Sequence, residues 1–306
     1  MDNDQTTSYI YSKNISNPAS FTLSRNNYFF SSFILALSLS IALLFNPDAS
    51  AYAKEMNIDS AINKAGKQRM LTQRIIKSYM LIGQDVFVDD AQKILDTSLA
   101  TFNMQLEELD EFAPTIKIEK AIARVRQKWG SFSRNALKTP QKDQAILLID
   151  EGDDLLALCE HLVTLLEKRS NNTKGAVINK SGRQRMLSQR IGMLYAASSW
   201  GIREKREVIK KFKIALKEYD QALVELNTSQ LNNNKISKAL RKVSSNWEFS
   251  RSGFDLMDSQ RYVPFVIQVT TETMLKYMNK ITDMYEDVSS NQHNIASQAD
   301  RKPYRG

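Results

Sequence analysis

The chain is poor in the residues that build metal centres, disulfides and sharp turns. Its 306 residues include one cysteine, two histidines, six prolines and ten glycines. The single cysteine, Cys159, excludes an intrachain disulfide framework and a thiolate metal cluster, and we expect it to pack as a small apolar residue. Neither His161 nor His293 has a glutamate three residues before it, as the di-iron helix-bundle motif requires.

Signatures of catalysis are missing as well. The sequence has no nucleophile elbow, no phosphate-binding loop and no metal-ligand spacing. We therefore predict a protein that is not an enzyme and that needs no cofactor or metal. The formal net charge of +8 fits an anionic ligand or an acidic partner if the protein is exported, so nucleic acid is not an expected partner.

The first 53 residues have the pattern of a targeting segment. An apolar run without charge extends over Tyr28–Phe45 and is followed by Pro47 and by the small-residue pattern Ala51-x-Ala53. This order is typical of a signal peptide, and we predict cleavage after Ala53 and a periplasmic or otherwise exported protein. The apolar run is also long enough to be an uncleaved inner-membrane anchor, which is the alternative.

The rest of the chain is predicted to be helical throughout. Eight apolar-periodic segments are separated by breaks at Gly83, Pro114, Pro140, Gly201, Asn232–Asn234 and Pro264. We predict an all-α protein with two tandem antiparallel four-helix bundles, the first at residues 54–171 and the second at 172–297, and a polar tail at 298–306. The joint between them, Ser170–Gly175, contains no proline. A continuous or bent long helix could stack the bundles into a rod, and side-by-side packing is the alternative.

The most informative feature is a block of thirteen residues that occurs twice. Asn63–Ile75 and Asn179–Ile191 differ at three positions, by Ala/Ser, Lys/Arg and Thr/Ser exchanges, and lie 116 residues apart. This offset is the size of one domain, so the block indicates an internal repeat. Its arginines, glutamines and asparagines are retained in both copies, although packing alone would not require them.

On a helix, the block has a second apolar face besides the one that suits its own bundle. Ile62, Gly66, Arg69, Gln73, Ile76 and Met80 follow the spacing of a coiled-coil seam, and Ile178, Gly182, Arg185, Gln189, Gly192 and Ala196 occupy the same positions in the second copy. The glycines would let another helix approach closely. Arg74 and Arg190 lie on a different side, where we expect second-shell or surface residues.

An arginine in a helix seam needs compensation, because burying an unpaired charge is strongly unfavourable. Neither block contains an acidic residue. The guanidinium groups of Arg69 and Arg185 present forked donors that suit a planar anion such as nitrate, nitrite or a carboxylate. The alternative is that each arginine pairs with an acid from another helix or extends to solvent.

The block resembles the first-helix motif of NarX-like and PilJ-type extracytoplasmic sensor domains, in the form Asn-x-[Ala/Ser]-Gly-x-x-Arg-Met-x-[Ser/Thr]-x-Arg. The resemblance covers both copies and thus nearly all of the chain after residue 53. The residues of Gln68–Gln73 match the PilJ-type form of the motif more closely than the nitrate-sensor form.

This resemblance implies a four-helix bundle that dimerises through its first helix, with the ligand held across the dimer axis by the first arginine of the motif. Carried over by position, the anion-binding set is Arg69, Arg185, Gly66, Gly182, Met70, Met186, Gln73 and Gln189, with Asn63, Asn179, Arg74 and Arg190 as a second shell. The resemblance leaves open whether the pairing joins two chains in a homodimer or the two repeats of one chain. Because the sequence shows no kinase or methyl-accepting region, we expect a membrane-bound sensor kinase or chemoreceptor as the partner. A helical structural or protein-protein interaction module without a small-molecule ligand is the alternative.

Overall fold

A computed structural model of the chain describes residues 56–202, 205–254 and 263–299, and within these ranges the chain is helical without any strand. The predicted signal peptide at residues 1–53 and the tail from residue 300 onwards lie outside the described residues. Eight helices are present in the described ranges, and they all belong to one compact unit. They are α1 (Ile58–Ile82), α2 (Val88–Phe112), α3 (Ile116–Ala136), α4 (Lys142–Ser170), α5 (Thr173–Ser199), α6 (Lys205–Asn227), α7 (Asn234–Phe254) and α8 (Pro264–Ala299).

The helix boundaries follow the breaks predicted from the sequence, and the first helix of each group starts at an asparagine cap. Asn57 caps α1 by accepting a hydrogen bond from the Ser60 amide at 2.9 Å, and Asn172 caps α5 in the same way through the Gly175 amide at 2.7 Å. Of the two possibilities for the joint, the continuous or bent long helix is not formed. Asn171 adopts a left-handed conformation with φ 48°, so α4 ends there and α5 starts in a new direction.

The helices form two groups, which we call repeat one (α1–α4) and repeat two (α5–α8). Within each group, neighbouring helices run antiparallel and each contacts the next in a closed ring. The all-α helical-bundle fold predicted from the sequence is therefore confirmed. The division into domains at residues 54–171 and 172–297 remains a prediction.

The two groups lie side by side, through α1 and α5. These helices run parallel with matched positions, since Gln84 at the end of α1 donates to the carbonyl of Ala196 near the end of α5 at 3.1 Å, while Arg69 reaches Asn179. Most residues of both helices are buried, so the two copies of the repeated block form the centre of the molecule. Cys159 is fully buried in the core, as expected, and burial raises the pKa of its thiol to about 12.

Candidate anion site between the paired first helices

Arg69 and Arg185 meet over two glycines where α1 and α5 face each other. A methyl group added at Gly66 would lie 3.2 Å from Nη2 of Arg69 and 3.6 Å from Nη2 of Arg185. At Gly182 the distances are 3.2 Å to Nη2 of Arg185 and 3.5 Å to Nη2 of Arg69. The predicted seam therefore brings together both arginines and both glycines. The space that the glycines leave is occupied by the guanidinium groups and not by the opposite backbone.

Arg69 is fully buried and paired with an acid. Its Nη1 donates to Oε2 of Glu160 on α4 at 2.5 Å, and its Nη2 donates to Oδ1 of Asn179 on α5 at 2.7 Å. The expectation that both arginines lack acidic neighbours is thus wrong for Arg69. The block itself has no acid, but the chain supplies one from a helix that lies 91 residues further along.

Arg185 is 2% exposed and finds only neutral acceptors. Its Nη1 donates to Oδ1 of Asn279 on α8 at 3.4 Å, and its Nη2 donates to the carbonyl of Asn63 on α1 at 3.1 Å. It forms no salt bridge within the described ranges. Burial lowers the pKa of the Arg185 guanidinium to about 10 and Arg69 also lowers it, while the carboxylates of Asp283 and Glu286 act in the opposite direction. This second arginine carries a buried charge without direct compensation.

The difference between the two arginines comes from one pair of matched positions. Seven residues beyond Glu160, Glu167 accepts from the side-chain amide of Asn179; seven residues beyond Asn279, Glu286 accepts from the side-chain amide of Asn63 at 2.6 Å. The two last helices therefore present equivalent faces to the seam. At the one position that contacts the arginine, repeat one has glutamate and repeat two has asparagine.

Several buried polar atoms in this seam have no hydrogen-bond partner in the part of the chain that the structure describes. They are Nε of Arg69, Nε of Arg185, Nε2 of Gln73, Oε1 of Gln189 and Oδ1 of Asn63. Most buried polar groups in proteins are paired, so such a concentration marks a place where an additional polar group would be stabilised. Gln73 contacts the opposite block, because its Oε1 accepts from Nη1 of Arg190 at 3.2 Å, whereas Nε2 of Gln189 donates to the carbonyl of Thr271 on α8 at 3.1 Å.

Other predicted residues lie elsewhere. Met70 and Met186 are buried, but they line grooves on the outer sides of the seam. Ile76, which was assigned to the seam, packs against α4 instead, since a methyl group at Gly152 would lie 2.4 Å from its Cδ1. A helix that is buried on nearly all sides gives no sequence signal for which neighbour each residue contacts.

Arg74 and Arg190 form ion pairs that cross between the repeats. Arg74 on α1 pairs with Glu272 on α8, and Arg190 on α5 pairs with Asp153 on α4 at 3.0 Å. Arg190 also donates to Oε1 of Gln73 at 3.2 Å. These residues hold the two groups together, a role that sequence reasoning missed because their acidic partners lie far away in the chain.

Sequence reasoning also missed Lys77, a buried lysine at this interface. Its side chain is 1% exposed and donates to Oε1 of Glu272 at 2.7 Å and to Oγ1 of Thr271 at 3.2 Å. Burial by itself would raise the pKa of Glu272, but Lys77 and Arg74 outweigh it and bring that pKa down to about 2. Lys77 fits because Gly192 faces it, and a methyl group there would lie 2.8 Å from Cδ of Lys77.

No group of side chains that could hold a metal ion is present among the residues that the structure describes. Within the same ranges, no helix combines the length and the apolar character needed to cross a membrane.

The fold and the seam together define a helical-bundle protein built around a repeated first-helix motif. The family model described as the type IV pili methyl-accepting chemotaxis transducer N-terminal domain, PilJ, matches residues 52–151 and 168–261. The matched segments contain both copies of the block and cover more than half of the chain, so the chain belongs to this family. Membership supports a sensory module of the chemotaxis-transducer type. No significant match was found among curated proteins or among solved structures.

Proposed function

We propose that this protein is an exported, non-catalytic sensory protein that binds a small anion between Arg69 and Arg185 and signals through a membrane-bound chemoreceptor or sensor kinase. The observation that carries the proposal is the buried guanidinium of Arg185, which contacts only neutral acceptors. Family membership adds the sensory role.

The charges around the pair favour a monovalent ligand. Arg69 is ion-paired with Glu160, so the guanidinium of Arg185 is the positive charge of the pair that has only neutral hydrogen-bond partners. An anion with a single charge would offset it, and the planar fork of a guanidinium matches nitrate, nitrite or a carboxylate in a bidentate arrangement. The unpartnered Nε atoms of both arginines and Nε2 of Gln73 would supply the remaining donors.

Binding at this place can alter the interface between the repeats. The two guanidinium groups repel each other, and both lie against the glycines that separate α1 from α5. An anion between them would replace repulsion by attraction and change the spacing of the two central helices. A helix displacement of this kind is a usual way in which a sensor passes a binding event to a partner.

The test is thermal unfolding of the purified full chain with 10 mM nitrate, nitrite, acetate or chloride. A site with a dissociation constant of about 0.1 mM would stabilise the protein by about 2.7 kcal/mol at that concentration. We expect the stabilisation to disappear in Arg185→Met. It should also disappear in Asn279→Glu, which installs the carboxylate that Arg69 already has. Arg126→Met removes a surface ion-paired arginine and serves as the matched control, so its response should equal that of the wild type.

An anion response that persists in both Arg185→Met and Asn279→Glu would exclude the central pair as the site. The second candidate, an interaction module without a ligand, is favoured by the fact that the guanidinium groups already fill the space over Gly66 and Gly182. In that case none of the four anions would shift the unfolding temperature of the wild type.

A further inference from the structure

Two grooves flank the paired helices, one on each side, and their walls are equivalent. The first, of about 420 Å³, lies between α4, α5 and α6, and the second, of about 470 Å³, lies between α8, α1 and α2. Arg183, Met186, Leu187 and Arg190 line the first groove, and the matching residues of the other block, Lys67, Met70, Leu71 and Arg74, line the second. Each groove can therefore be compared with its counterpart in the same molecule.

In the first groove, every basic side chain is neutralised. Arg183 pairs with Glu160 at 3.1 Å and with Glu218 at 2.9 Å. Asp153 pairs with Arg190 at 3.0 Å and with Lys211 at 3.4 Å. Three basic and three acidic residues line this groove, so its charges balance.

In the second groove, three lysines form no ion pair in the described ranges. Arg74 is paired with Glu272, but Lys67, Lys276 and Lys280 form no salt bridge or hydrogen bond with any residue that the structure describes. Burial lowers the pKa of Lys67 and Arg185 lowers it further, while Asp283 acts in the opposite direction. The groove lining has four basic residues against two acidic ones, Glu272 and Asp283. This is an excess of positive charge in a concave site.

The shape and the lining of the second groove indicate what would neutralise it. Met70, Leu71 and Leu275 provide apolar surface, which an inorganic ion would not use but a carbon skeleton would. The volume is within the usual range for small-molecule sites, about 300–1,000 Å³. Lysine ammonium groups are flexible point charges that can each meet a separate carboxylate.

We propose that the groove between α1, α2 and α8 binds an organic polycarboxylate through Lys67, Lys276 and Lys280. This site is separate from the central arginine pair and does not depend on it. Asn279 lies between the two, because it lines the groove and accepts from Arg185.

The experiment is isothermal titration of the full chain with citrate, succinate, inorganic phosphate and nitrate. We expect citrate to bind most tightly, because it brings three carboxylates and a carbon skeleton. Lys276→Ala combined with Lys280→Ala should weaken citrate binding about tenfold, since two exposed ion pairs to the ligand, each of modest strength, would be lost. Both lysines are exposed, so the folded structure should be unaffected.

Lys117→Ala combined with Lys120→Ala is the matched control, because it removes the same charge from exposed positions on α3. Citrate affinity that is unchanged in the Lys276/Lys280 variant, or reduced equally in the control, would overturn the proposal. So would a wild-type chain that binds no citrate. Loss of citrate binding in Arg185→Met alone would assign citrate to the central pair and overturn the groove site, while leaving the proposed anion-sensing function standing.

Discussion

In repeat one the buried Arg69 meets a carboxylate from the last helix, whereas in repeat two the equivalent Arg185 meets an amide. The same difference between glutamate and asparagine affects the two grooves. Arg183 pairs with Glu160 in the first groove, whereas the matching Lys67 has Asn279 at the equivalent position of the second groove. One glutamate thus pairs with both a central arginine and a groove cation, where repeat two has a neutral amide. The comparison teaches that nearly identical blocks acquire different electrostatics from the helices that surround them.

The largest difference between the repeats should appear at Glu272. Glu272→Gln leaves the buried Lys77 without a counter-charge, and we expect it to lower the free energy of unfolding by about 3 kcal/mol. Asp153→Asn is the counterpart in repeat one, where the partners Arg190 and Lys211 are partly exposed. Its cost should be about 1 kcal/mol or less. Urea denaturation of the two variants measures both values, and equal losses would contradict the proposed inequality.

Acid should remove the contribution of Glu272. Its pKa is about 2 in the folded chain, below the ordinary value of 4.5. The unfolded state therefore takes up the proton first, so this contribution is complete above pH 4.5 and is lost as the pH falls towards 2. Unfolding measured across this range should show the wild type converging on Glu272→Gln. Parallel curves for the two proteins would mean that the carboxylate is not perturbed by its neighbours.

Glu160→Asn would give Arg69 the same neutral acceptor that Arg185 has in Asn279. We expect a loss of about 2 kcal/mol, because Arg69 is fully buried while Glu160 is partly exposed. The same variant should respond more strongly to nitrate, since two uncompensated arginines would then face each other. Glu108→Gln removes an acid of similar exposure from the Lys64 pair and is the control, with an expected cost below about 1 kcal/mol. Equal losses in the two variants would indicate that burial of Arg69 carries no penalty.

The smallest effect is expected at Gly192 in repeat two, which leaves room for the side chain of Lys77 from repeat one. Gly192→Ala places a methyl group 2.8 Å from Cδ of Lys77 and 3.0 Å from Oγ1 of Thr271. Overpacking would exceed the gain in helix propensity, for a net loss of about 1 kcal/mol. Gly130→Ala on α3 meets only Nη1 of Arg134 at 3.6 Å and should stabilise by about 0.5–1 kcal/mol. Thermal unfolding distinguishes the two signs, and stabilisation by both substitutions would contradict the close packing.

The helices and the seam could be predicted from the sequence, because their causes are local. Asparagine caps, glycines and prolines mark where helices begin and end, and the spacing of Gly66 and Arg69 identifies the face that meets another helix. The side-by-side arrangement was left open beside a rod, since nothing in the joint predicts that Asn171 adopts a left-handed conformation.

The pairing of charges could not be predicted. The partners of Arg69 and Arg74 lie 91 and 198 residues away, and the helices α2, α4, α6 and α8 each carry several acids. Only the relative register of α1, α4 and α8 decides which acid reaches which arginine. The same limit applies to Lys77, whose position in the sequence resembles that of an ordinary helix surface lysine.

The joint at Asn171 connects repeat one to repeat two, so both central helices, α1 and α5, belong to one polypeptide. Identical subunits around a twofold axis must carry every mutation twice, so they could not keep a carboxylate beside one arginine and an amide beside the other. A tethered pair also remains assembled however far the protein is diluted. Ligand binding between two helices of one chain would therefore not depend on the concentration of the protein.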